Sequence, residues 1–381
     1  MRLAGRLLIV VLILGAGALG GLKWRYGGGA DFPERATSTP LLPESALETV
    51  AELPTPPGNI AVSASGRVFV TLHPEARPQW KVVELVDGRM QPWPSLAFQT
   101  GDGEPRHFRD VLSLRIDRRN RLWTLDNGQH GLHPGRLLAF DLDSGAVVHE
   151  YEFPRAIAGL GSHLNDFQVS PDGNTLYIAD ASFFAQTPAL IVYDFAARQA
   201  RRLLEGHSSV MPDFYTPVVQ ERRMEAFGLV AIRPGVDSIV LSRSGERLYF
   251  APVTDLNLYS VRSADLRDGT LSADELAARV EVHAAKTMSD GLSIDDAGTI
   301  YLSDPEHSAI VLSRPDGSLQ TLVQSERLRW PDGFSFGSDG WLYVTCSSLQ
   351  HVIGRSPSTI AVHAPYHVFR LRPGATAAAG H

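Results

Sequence analysis

The chain has 381 residues, 44% of them hydrophobic and 20% charged, a balance that can bury a core and lies far from the composition of disordered chains. Its 35 Lys and Arg against 42 Asp and Glu give a formal charge of −7, and no basic run of five or more residues occurs, which excludes an overall basic field for nucleic acid. The lone Cys346 forbids an intramolecular disulfide, and without C-x-x-C or H-E-x-x-H the common zinc and thiol-redox patterns are absent.

Arg2 and Arg6 precede an uncharged stretch from Leu7 to Leu22, followed at once by Lys23-Trp24-Arg25-Tyr26. A short apolar stretch behind a basic start is the pattern of export, and its length falls between a signal core and a full membrane span. Ala16-Gly17-Ala18 offers a small-residue cleavage site, whereas Trp24 and Tyr26 beside positive charge suit a membrane interface. Residues 1–26 are therefore expected to be a signal peptide or a membrane anchor, with the protein periplasmic or secreted and touching a membrane only here. Gly15-Ala-Gly17-Ala-Leu-Gly20 is formally G-x-G-x-x-G, but its glycines lie inside the export stretch rather than in a βαβ unit, so no nucleotide cofactor is expected. Residues 27–45, rich in Gly, Pro, Ser and Thr, read as a flexible linker.

From residue 46 onward one phrase returns six times, at Asn59–Leu72, Asp110–Asp126, Asn165–Asp180, Asp237–Pro252, Asp290–Asp304 and Asp332–Cys346. Each copy is an alternating apolar strand, a turn of Asp, Asn, Ser or Gly, and a second strand carrying an aromatic: Phe69, Trp123, Tyr177, Tyr249, Tyr301 and Tyr343. Most copies are followed by a second hairpin, as at Arg136–Phe153, Ala189–Leu204 and Ile310–Val323. Four strands repeating roughly every 40–70 residues suit propeller blades with loop insertions better than a sandwich or two separate β domains. The expected fold is all-β, a six-bladed β-propeller over residues 46–375, with Leu47–Leu53 supplying a strand that closes the ring on the last blade. Residues 376–381 read as a disordered tail. The one convincing helical stretch, Ser272–Val282, opens with a Ser-x-x-Glu capping box. Asp141-Leu-Asp143-Ser-Gly145 reads as a hairpin turn, because the remaining ligands of a calcium loop are missing.

Aligned on the turn and the aromatic, Asn165, Asp237, Asp290 and Asp332 share one position at the start of each copy's first strand. Innermost strands surround a propeller's axis, so these side chains are expected to converge on one channel mouth. Such a group of oxygens suits Ca²⁺ or another divalent cation, and uncompensated carboxylates there would raise one another's pKa values. The competing explanation is that Asp and Asn before a strand cap turns. Asp110 lies two residues before the equivalent point, and copy one offers only Gly58 or Asn59. Asp126, Asp180 and Asp304, each just after an aromatic strand, read as turn formers. Among the histidines, His163 and His307 are placed to reach a mouth as acid or base, with Asp290 as the carboxylate partner. Gly159-Leu-Gly161-Ser162-His163 has the wrong spacing for a nucleophile elbow, so a serine-triad hydrolase is not expected.

Arg121-Leu-Trp-Thr-Leu-Asp126-Asn-Gly128 resembles a segment of the major royal jelly/yellow protein family. Leu164-Asn-Asp166 with Leu176–Asp180, Ala189–Asp194, Arg247–Val253 and Leu258–Val261 look like the family segments that follow it, in order. The resemblance runs over roughly residues 55–350 and implies a six-bladed propeller. It also implies a protein that binds or converts a small molecule in its channel, since members include proteins linked to dopachrome conversion and binders of biogenic amines. A more distant similarity runs to the gluconolactonase/regucalcin propellers, which implies a metal-dependent sugar-lactone or ester hydrolase with a cation on Asn165, Asp237 and Asp290. The first-blade Glu of that group is missing, because Gly58-Asn59 stands in its place. Both readings expect a monomer with a small-molecule ligand and its site on the propeller axis.

Overall fold

The computed structural model describes residues 2–35 and 38–380, so Met1, Ala36, Thr37 and His381 lie outside it. Six four-stranded antiparallel sheets are arranged as the blades of a propeller. Their innermost strands are Pro57–Val62, Val111–Ile116, Leu164–Val169, Val236–Leu241, Leu292–Ile294 and Pro331–Phe336. These are the first strands of the six repeated phrases. Nearly all their residues are buried, because the adjacent blades pack against the faces of each inner strand.

The sixth blade is made from both ends of the described chain. Glu48–Leu53 pairs antiparallel with Tyr366–Leu371, outside Leu342–Cys346 and Pro331–Phe336. The expected closing strand is therefore in place, and the ring has no free edge at its seam. Trp123 shows how an aromatic and a polar turn can support each other. Its Nε1 donates to Asp117 Oδ2 at 2.8 Å, and the same carboxylate accepts from the Arg119 and Arg121 amides, so one side chain shapes the turn and anchors the ring. Tyr301 and Asp295 repeat the arrangement in blade five.

Three expectations differ from what is observed. Helix forms only over Ala273–Ala277 behind the Ser272 capping box, since Glu281–Ala285 is taken as the outer strand of blade four. Residues 27–35 are strapped to the propeller rather than free. Ala30 bridges Tyr215, Thr216 Oγ1 donates to Gly28 O at 2.8 Å, and Arg223 reaches both Asp31 and Gly29 O. Residues 376–380 also pack, with Thr376 Oγ1 on Asp296 at 2.9 Å and the Gly380 amide on Phe336 O at 3.1 Å.

The N-terminal segment is a helix, Arg2–Tyr26. Among the described residues no helix is long and apolar enough to cross a membrane, and the side chains of residues 1–10 and of Leu12 lie outside them.

Candidate functional site

A cavity of about 760 Å³ opens along the axis at the end where the innermost strands begin. The geometry of those beginnings is shared. Register shifts fall at Pro57/Ile60, Val111/Ser113, Leu164/Phe167, Val236/Ser238 and Pro331/Phe334, so five of the six strands carry a bulge at the mouth. A bulge re-aims side chains, here toward the axis. In blades one and six it is fixed by a hydroxyl from the neighbouring strand, Thr71 Oγ1 accepting from the Asn59 amide at 2.8 Å and Thr345 Oγ1 from that of Gly333 at 2.9 Å. Blade five has no register shift, but Ser303 Oγ likewise accepts from the amides of Asp290 and Gly291 at 3.0 and 2.8 Å.

Crowding around the ring accounts for the Asp-Gly steps. A Cβ on Gly291 would lie 1.6 Å from Asp332 O, and one on Gly333 would lie 2.7 Å from Asn59 Cα. Adjacent blades thus touch backbone to backbone at the mouth, which brings their acidic residues together.

Asn165, Asp237, Asp290 and Asp332 all line the cavity, as their shared position predicts. Asp110 does not. It lies beside Asp126 and Asn127, where burial pushes its carboxyl up to about 6, and Leu112 takes the channel position of blade two. Asp126, Asp180 and Asp304 are turn formers. Asp180, for instance, accepts from the amides of His163 and Ser182 at 2.7 and 3.0 Å.

Several residues at the floor escaped the sequence pattern. Asp166, next to Asn165 in the bulge, accepts from Asn59 Nδ2 at 2.5 Å and lies 3.4 Å from Arg115 Nη2. Arg115 is 2% exposed and also donates to Asn59 Oδ1. Trp330 Nε1 donates to Asp290 Oδ2 at 2.5 Å. Asp237 and Asp290 both line the floor, and the neighbouring Asp290 carboxylate adds to the rise of Asp237. Burial pushes Asp290 up to about 6 and Asp237 and Asp332 well above the usual carboxylate range, with neighbouring carboxylates adding to the rise in the last two. Asp166 is raised by burial too, against the opposing pull of Arg115.

His163 also lines the cavity, with His73, Glu75 and His130. Burial, then the adjacent His130, holds the His163 imidazole down at about 3, so it is neutral at ordinary pH. The His130 ring is 4.7 Å from that of His163 and 3.6 Å from Glu75 Oε1, and this neighbour holds the Glu75 carboxyl down at about 2. His307 lies away from the cavity, between Asp304 and Glu34.

Among the described residues, no three or more His, Cys, Asp or Glu are disposed to hold a metal ion. In the expected ligand set, one Asp290 oxygen is taken by Trp330. Arg115 already supplies a buried positive charge. The oxygens converge, and a cation on this set would have to displace the Trp330 bond to Asp290 Oδ2.

The model of the major royal jelly protein family matches residues 110–370, well over half of the chain. The chain belongs to that family. Major royal jelly protein 9 of Apis mellifera is 25% identical over 201 residues, covering 50% of this chain and 45% of the bee protein. Major royal jelly protein 1 of the same bee is 24% identical over 235 residues, covering 58% and 52%. The family member described here thus matches about half the length of these curated relatives. Among solved structures, the calcium-binding protein regucalcin of Agrobacterium tumefaciens superposes with a TM-score of 0.55 at 16% identity, over 88% of this chain and 95% of that one. A gluconolactonase of Xanthomonas campestris gives 0.53 at 13% identity, over 91% and 96%. At such identities the likeness is one of fold.

Proposed function

We propose that this family member is an extracytoplasmic protein whose axial cavity holds a small molecule with an apolar or aromatic body and a cationic amine head. One observation carries the reading. Four carboxylates, Asp166, Asp237, Asp290 and Asp332, meet at the floor against Arg115 and the buried Lys286, beneath walls that include Leu112, Phe183, Val253, Trp330 and Leu349, with Arg77 and Arg355 also on the cavity lining. Carboxyls driven upward by burial and by one another are relieved when a cation arrives, and aromatic faces favour a cationic amine further. The export-like N-terminus supports the location.

A conversion in the cavity would draw on Asp290, whose proton affinity near pH 6 suits it to take up and return a proton, with the neutral His163 imidazole as a hydrogen-bonding partner for the substrate. Calorimetric titration with dopamine and tryptamine beside neutral catechol tests the binding. The amines are expected to bind and catechol to bind at least tenfold more weakly, with Asp332→Asn reducing amine affinity. Equal binding of catechol, or no effect of the variant, overturns the reading.

A second reading, a divalent-metal-dependent sugar-lactone or ester hydrolase, rests on the convergence of Asn165, Asp237, Asp290 and Asp332. It requires Asp237 and Asp290, both raised by burial, to be ionised together. A rise in melting temperature with Ca²⁺, reversed by chelator and absent in Asp237→Asn, would place it first.

A further inference from the structure

We propose that the open face of the propeller is seated on a lipid bilayer, with the cavity mouth turned into the headgroup region. The N-terminal helix ends on the rim of the mouth with no spacer. Leu22 lines the cavity, Tyr26 Oη donates to Phe184 O at 2.8 Å, and Arg233 Nη2 donates to the carbonyls of Tyr26 and Gly27, each at 3.2 Å. Whatever surrounds the helix therefore lies within a few residues of the mouth.

Ahead of Leu22 the described side chains of the helix stand exposed. Val11, Ile13, Leu14 and Leu19 are 53–68% exposed and Trp24 is 86% exposed. A helix apolar on its outer surface requires an apolar phase around it. The rim continues the same surface, because Phe184 and Phe227 on the cavity lining are 48% and 83% exposed, and Phe214, beside Gly28 just past the helix, is 67% exposed. Cations stand among them: Lys23 and Arg25 end the helix, and the Arg233 guanidinium lies 4.1 Å over the Phe214 ring. Aromatic rings mixed with Lys and Arg suit the boundary between acyl chains and anionic headgroups. The opposite end of the channel differs in kind, since its turns mix Asp172, Ser244, Asp296 and Asp339 with Arg118, Arg119 and Arg243 and, among the described residues, expose no large aromatic. Seated this way, the cavity would receive its ligand from the bilayer, so the ligand would be a membrane-partitioning amphiphile. That last step rests on the amine reading, and the docking does not.

The test uses the full chain, reconstituted into vesicles of phosphatidylethanolamine and phosphatidylglycerol. Cys346 is fully buried and its thiol is pushed far up by burial, so an added surface cysteine is the reactive one. Phe227→Cys at the rim and Ser244→Cys at the far end each receive an environment-sensitive fluorophore. Doxyl-labelled lipid is expected to quench the label at 227 severalfold more than the label at 244, and aqueous iodide to do the reverse. Adding Phe214→Asp should reduce the lipid quenching at 227 while leaving the melting temperature in detergent unchanged. Iodide quenching at 227 without lipid quenching overturns the proposal, as does equal behaviour of the two sites. A blue-shifted 227 label that no lipid quencher reaches overturns it in favour of a second copy of the chain covering the rim.

Discussion

Arg115 Nη2 lies 3.4 Å from Asp166 Oδ2, and both side chains are almost fully removed from solvent. Breaking a buried pair from one side leaves a charge with no partner, at a cost of about 3–5 kcal/mol. Arg115→Met is therefore expected to lower the melting temperature by several degrees, since Asp166 and Asn59 both lose their donor. Adding Asp166→Asn should recover much of the loss, because it removes the stranded charge. Melting curves of the two singles and the double give the coupling directly. Additive losses would show that the two side chains do not act as a pair.

Binding of a cationic amine should strengthen as pH rises through about 6. Asp290 is held up to about 6, first by burial, so between pH 5 and 7 its ionised fraction increases roughly tenfold, and affinity should follow. Stability moves the other way. A carboxyl whose folded pKa is raised binds its proton more tightly folded than unfolded, so the fold loses stability as pH climbs from near 4 through about 6. Asp290→Asn should flatten both dependences, read by titration calorimetry and by urea unfolding at pH 4.5 and 7.

Gly291→Ala is expected to be far more damaging than Gly66→Ala. The added methyl at 291 would sit 1.6 Å from the Asp332 carbonyl, so blades five and six would have to separate. At Gly66 nothing lies within 4 Å, and the cost is that of a left-handed conformation at φ +86°, about 1 kcal/mol. Soluble yield and melting temperature of the two variants separate the cases. A Gly291→Ala protein that melts with the parent would show that the mouth has slack.

The hairpins, the closing strand Glu48–Leu53 and the convergence of Asn165, Asp237, Asp290 and Asp332 were legible because each depends on local pattern: period two, turn residues and a repeated position. Arg115 was not. It occupies the row held by Ala61, Gln168, Val240, Ser293 and Ser335 in the other copies, and an arginine among small or neutral residues was the available signal. Which side of an inner strand faces the channel is decided by the bulge, and alternation does not reveal a bulge. Glu75 and His130 reach the cavity from loops of different blades, so no spacing within one copy joins them. The strap at residues 27–35 has a flexible composition, yet it is held by Arg223 and Arg233, whose distance in sequence hides them from any local reading.

The strap should loosen at alkaline pH. His307 Nδ1 lies 2.8 Å from Asp304 Oδ2, and its Nε2 lies 3.0 Å from Glu34 Oε1, so one imidazolium joins the strap to blade five. The bond to Asp304, opposed by burial and helped by Glu34, raises the imidazole pKa to about 9. A histidine raised in the folded state adds stability that is fully present below its unfolded value near 6.5 and is lost as pH rises through about 9. Hydrogen exchange at residues 30–35 is therefore expected to gain little protection from His307 above pH 9, once the intrinsic rate is corrected for pH, while the blade strands keep theirs. Glu34→Gln should weaken the attachment at pH 7, and His307→Gln should remove the pH dependence. Strap exchange that tracks the blades between pH 7 and 10 would show that Arg223 and Arg233 hold the segment without the imidazolium.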